Sequence, residues 1–179
     1  MHRTWLFTVP DGWYANIQPA GSRISSCTSL HPSIPAANLR DGFFAIPEDV
    51  YDSAPYAIYV ADSREPIEEM LTGVAINSGV KTIVRVTANE VRSDHPTPNA
   101  SFELVKSASN PNLQMVRFRA VMAEDVGYSQ RGNVDYGFIV TNPAGGTIRI
   151  ARTSHTTLSE SVIAPALDTL IQTFAFKDH

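Results

Sequence analysis

A single cysteine, Cys27, occurs among the 179 residues, so an intrachain disulfide is impossible and a cysteine-based zinc site is excluded. Charge is sparse, at 18% of residues, against about 25% in an ordinary domain. Its balance, 14 basic against 18 acidic side chains with a net charge of −4, argues against a general nucleic-acid binder. No apolar run approaches the ~18 residues that span a bilayer, so no transmembrane segment is expected. The short apolar stretch Trp5-Leu6-Phe7 cannot serve as the core of a secretion signal. A cytoplasmic protein follows if Met1 is native, and a periplasmic or secreted one if a signal has been removed.

Motifs that carry known chemistry are also lacking. Gly145-Gly146 leads into Thr147-Ile148-Arg149-Ile150, a predicted strand, and lacks the lysine and helix of a phosphate loop. No serine sits in the glycine-framed elbow of a hydrolase. The histidines, His2, His31, His95, His155 and His179, are scattered without helical metal-ligand spacing. A nucleophilic set could be drawn from Cys27, His31 or His155, with Asp135 as orienter, but no local pattern brings them together. The acidic pairs Glu48-Asp49, Glu68-Glu69 and Glu124-Asp125 read as solvated side chains. No metal, cofactor or catalytic residue is expected.

What is present is a chain with 43% apolar and 9% aromatic residues. A chain of this length buries roughly 70% of its unfolded surface. With neither repeats nor low-complexity tracts, it reads as one domain over residues 1–179. Trp5 to Val9 reads as a strand stopped by the turn residues Pro10-Asp11-Gly12, and Trp13-Tyr14 reopens an extended segment. Residues 19–42, with Pro19, Gly21, Pro32, Pro35 and Gly42 among many serines, read as a long irregular connection.

Tyr56 to Val60 is a predicted strand, and Asp62 to Pro66 a helix start. Ile67, Met70, Leu71 and Val74 then recur at helical spacing up to Gly79. Strands are predicted over Lys81 to Thr87, around Phe102 and Leu104, from Val116 to Met122, and from Tyr136 to Thr141 and Thr147 to Ala151 across a Pro-Ala-Gly-Gly hairpin turn. Alternation along these segments belongs to an antiparallel sheet with one buried and one wetter face. Ile163, Leu167, Leu170, Ile171 and Phe174 form the apolar stripe of a closing helix, with Thr156, Thr157 and Ser159 ahead of it and Pro165 in its first turn. Phe174-Ala175-Phe176 follows as a short strand. The fold class is α+β: an antiparallel sheet backed by helices near 66–78 and 163–174.

Both ends of the chain resemble the PsbP-like superfamily. Phe7-Thr8-Val9-Pro10-Asp11-Gly12-Trp13 is similar to its opening strand and proline-x-glycine-tryptophan turn, and Ala166 through Phe176 to its closing helix and strand. The resemblance implies a non-catalytic protein-binding or adaptor role and carries over no catalytic residues.

The residues themselves point to one candidate surface. Residues 81–152 hold 9 of the 14 basic side chains against 6 of the 18 acidic ones, a cationic middle in an acidic protein. Arg117 and Arg119, two apart on one predicted strand, share a face. Arg149 is out of phase with Ile148 and Ile150 on a nearby strand. If the strands are neighbours, three guanidiniums occupy the sheet face away from the helices. Bidentate hydrogen bonding would suit them to an acidic protein segment or anionic ligand. The wet face of an ordinary antiparallel sheet would show the same pattern. The alternatives are a small hydrolase-like enzyme with a pocket between sheet and loop, and a secretion-associated chaperone or immunity protein. Partner identity and oligomeric state are not legible in the sequence.

Overall fold

The computed structural model describes residues 5–8, 10–11, 13–17, 27–32, 58–107, 110–125, 131–154 and 157–176. Eleven strands and two helices follow one another along these residues. The fold is α+β. Its centre is a seven-stranded antiparallel sheet ordered β2-β3-β4-β10-β9-β8-β7. The strands are β2 (Trp13–Ile17), β3 (Cys27–Pro32), β4 (Ile58–Ser63), β7 (Ala100–Val105), β8 (Met115–Val121), β9 (Val134–Thr141) and β10 (Thr147–Ser154). Two-stranded ribbons flank it, β1 (Trp5–Leu6) with β11 (Ala175–Phe176), and β5 (Val84–Val86) with β6 (Val91–Ser93). The helices are α1 (Ile67–Asn77) and α2 (Thr157–Thr173).

The β9–β10 hairpin is the spine of the sheet, and its turn is built from local chemistry. Asn142 Oδ1 accepts a hydrogen bond from the Ala144 N–H at 3.0 Å, and the Asn142 N–H donates to the Gly146 carbonyl at 3.0 Å. Gly146 has φ of 79°, and a Cβ there would lie 2.0 Å from the Ser63 carbonyl oxygen. Only glycine lets the turn pass so close to β4.

Helix α1 starts directly after Pro66, with Glu68 and Glu69 in its first turn where the helix dipole favours carboxylates. Gly79 ends the segment at φ 81°. The helix also closes the open side of the β5–β6 ribbon. Thr72 Oγ1 accepts the Val84 N–H at 3.0 Å, and Glu68 Oε1 accepts the Val86 N–H at 2.8 Å. Strand N–H groups that would otherwise invite pairing are thereby satisfied.

The two helices lie on opposite faces of the sheet, not together on one as the sequence had indicated. Ala166, Leu167, Leu170 and Ile171 of α2, with Phe174 just after it, pack with Ile58, Val60, Met115, Tyr136, Phe138, Val140, Ile148 and Ile150. Ile67, Leu71, Val74 and Ala75 of α1 pack with Val116, Phe118, Ala120, Ile139 and Ala151. Successive residues of β9 thus enter different cores, and all six positions from Asp135 to Val140 are buried. Where β9 runs, there is no wet face.

Four further expectations are corrected. Cys27–Pro32 is a strand pairing with both β2 and β4, so the stretch 19–42 is not irregular throughout. Asp62 and Ser63 extend β4 instead of opening the helix. The strand expected over Lys81 to Thr87 is confined to Val84–Val86, half of a ribbon. Helix α2 begins at Thr157, which places Pro165 in its interior. An interior proline costs roughly 3 kcal/mol. Three large buried side chains on the same helix, Leu167, Leu170 and Ile171, at roughly 1.5–3 kcal/mol each, outweigh that.

Candidate functional site

Strand register decides where each arginine goes. Arg117 lies opposite Phe138, which lies opposite Ile150, so Arg117 is on the α2 face. Arg119, opposite Tyr136, is on the same face. Arg149 lies opposite Ile139, which lies opposite Val116, so its side chain belongs to the α1 face. The three guanidiniums do not form one patch. Arg149 is one residue out of step with the other two, and a shift of one exchanges faces.

On the α1 side, Arg149 forms an ion pair with Asp135 and stacks over Phe118, its guanidinium carbon 5.3 Å from the ring centroid. The Asp135 carboxylate is nearly buried and the arginine about one-third exposed. Gly137, two residues after Asp135 on β9, lies with its backbone against Ala151 on the neighbouring strand. With φ of 154°, a Cβ at Gly137 would stand 2.1 Å from the Ile150 carbonyl oxygen. The Arg149–Asp135 pair is a packing element of the α1 core.

On the α2 side, Arg117 and Arg119 line a cleft of about 300 Å³ between α2 and strands β7, β8 and β9. Tyr136, Phe138 and Leu167 supply apolar walls, while Glu103 and Asp168 add carboxylates to the rim. Arg117 is held from two directions. Its Nη2 donates to Asp168 Oδ1 of α2 at 2.8 Å, and its guanidinium lies 5.1 Å from the Phe138 ring centroid. Both partners of this pair are about half exposed, so water competes for them. Glu103 stands directly across from Arg117 on β7. Chemically, the cleft offers an apolar floor and, in Arg117, a guanidinium already held in orientation.

Sequence reasoning found Arg117 and Arg119 but missed Glu103, Tyr136, Phe138, Leu167 and Asp168. Alternation could have shown that Glu103 points away from Phe102 and Leu104, but its place beside Arg117 requires the β7–β8 register, and Asp168 requires knowing how α2 crosses the sheet. Cys27 and His31 fall on β3, but their side chains, like His155, lie outside the described residues. Asp135, the orienter drawn for them, faces Arg149. Among the described residues, no three His, Cys, Asp or Glu side chains converge to hold a metal ion, and no helix is long and apolar enough to cross a membrane. No family model, curated protein or solved structure matches the chain.

Proposed function

We propose that this protein is a non-catalytic binding domain, an adaptor of the PsbP-like type that its chain ends resemble. Its docking site is the cleft between α2 and strands β7, β8 and β9, and its partner is an acidic protein segment. The observation that carries this reading is the presentation of Arg117, seated on Phe138 and steered by Asp168 at 2.8 Å beside an apolar floor. A partner carboxylate takes over the half-exposed arginine from Asp168, and adjacent apolar side chains enter against Tyr136 and Leu167. Guanidinium–carboxylate recognition adds direction to apolar burial that has none of its own.

A photo-crosslinking residue at the exposed position of Glu103 should capture a partner from the native host. The double variant Arg117→Glu, Arg119→Glu should then bind that purified partner at least about tenfold more weakly, with parent affinity falling as salt rises. Unchanged affinity in a variant with the parent circular-dichroism spectrum would overturn the proposal.

A further inference from the structure

Two of the three large hydrophobic side chains that are exposed among the described residues meet in one groove on the opposite side of the molecule. Ile76, 54% exposed, is in the last turn of α1, and Ile83, 52% exposed, precedes β5. With Thr72, Lys81, Thr82 and His95 they line a groove of about 570 Å³. Single exposed aliphatics are ordinary, whereas these two share one concavity with charged neighbours.

The walls of this groove are fixed. Thr82 is buried, and its hydroxyl accepts the His95 N–H at 2.9 Å and shares a hydrogen bond with the Ser93 hydroxyl at 2.8 Å. The Asp94 N–H donates to the Ile83 carbonyl at 3.1 Å, and Thr72 accepts the Val84 N–H. A surface already ordered loses little conformational freedom on binding.

Charge at the rim selects the occupant. Asp94, the carboxylate in the groove, faces Arg85 at 3.8 Å. Lys81 is exposed and forms no ion pair among the described residues. The charge left without a counterpart is therefore positive.

We propose that this groove is a second docking surface, separate from the α2 cleft, for a protein segment that presents an aliphatic or aromatic anchor beside a carboxylate. The anchor packs between Ile76 and Ile83, and the carboxylate pairs with Lys81. With one docking site on each side of the sheet, the protein bridges two partners.

The test uses the full chain with labelled isoleucine methyl groups and backbone amides, and two acetylated short peptides, one alternating leucine with glutamate and the other leucine with lysine. The glutamate peptide should move the Ile76 and Ile83 methyl resonances along a saturating curve in the millimolar range or tighter. Any amide shifts of Arg119 and Tyr136, which report the α2 cleft, should be the same in the parent and in Ile76→Asp. Lys81→Glu should weaken binding by about fivefold, the scale of an exposed ion pair. Ile76→Asp should abolish it while the remaining amide spectrum is retained. Equal response to the lysine peptide, or no methyl shift up to about 10 mM, overturns the proposal. So does sedimentation showing a dimer that Ile76→Asp dissociates, since the occupant would then be a second copy of the chain.

Discussion

The two faces of the sheet treat the same side chain in opposite ways. Arg117 reaches across a cleft to a carboxylate on α2, with both partners about half exposed. Arg149 lies along the sheet under the influence of α1 and pairs with a carboxylate that is only 7% exposed. Both guanidiniums stack on a phenylalanine, at 5.1 and 5.3 Å, so aromatic support does not distinguish them. What differs is access to water. An ion pair that water can reach exchanges partners at little cost, whereas one enclosed by packing resists loss of either member. The first is suited to recognition and the second to holding a core together.

The most severe way to break this contrast is at Gly137. Gly137→Val would drive a branched side chain into the Ile150 carbonyl and the Ala151 backbone. A loss of about 4 kcal/mol or more in unfolding free energy is expected from denaturant titration, because backbone strain and steric overlap act together. A variant within about 1 kcal/mol of the parent would contradict the described close approach.

Removal of one enclosed partner sharpens the comparison. Asp135→Ala leaves the Arg149 charge without its carboxylate, and should lower stability by about 1–3 kcal/mol. The figure lies below that of a fully buried pair because the arginine is about one-third exposed. The shift in urea midpoint should persist at high salt, since the lost interaction is largely shielded from ions.

The smallest effect belongs to the open pair. A double-mutant cycle on Arg117→Gln and Asp168→Asn should give a coupling energy below about 1 kcal/mol, declining further as salt is added. Coupling as large as that of a buried network would mean that Arg117 is committed to structure and poorly placed for a partner.

The elements that were legible in the sequence are those whose signal is local. The alternation around Phe102 and Val116, the Asn142-to-Gly146 turn and the stripe from Leu167 to Phe174 each specify an element from its own residues. The division of the helices between two faces was less apparent, yet a clue lay in β9. Phe138-Ile139-Val140 is apolar at successive positions, the mark of a strand covered on both sides. Gly137, a glycine inside a strand, likewise signalled close backbone contact.

The candidate site was only half legible for a related reason. Arg117 and Arg119 share a strand, so their common face follows from the two-residue period. The placement of Arg149 depends on pairing between strands, which no single segment encodes. Asp168 depends on the angle at which a helix crosses a sheet, and that is set by the side chains of both. The strand Cys27–Pro32 was obscured by Ser29 and by Pro32 at its end, residues that are common in turns but tolerated where β3 joins its neighbours.

One small feature governs how the domain connects to anything beyond it. Trp5–Leu6 and Ala175–Phe176 are paired antiparallel, and the Thr8 N–H donates to the Thr173 hydroxyl at 3.0 Å. Polypeptide extending from either end of this region therefore departs from the same pole. Tension applied between those ends would load this two-residue clasp first and reach the central sheet only after it had opened.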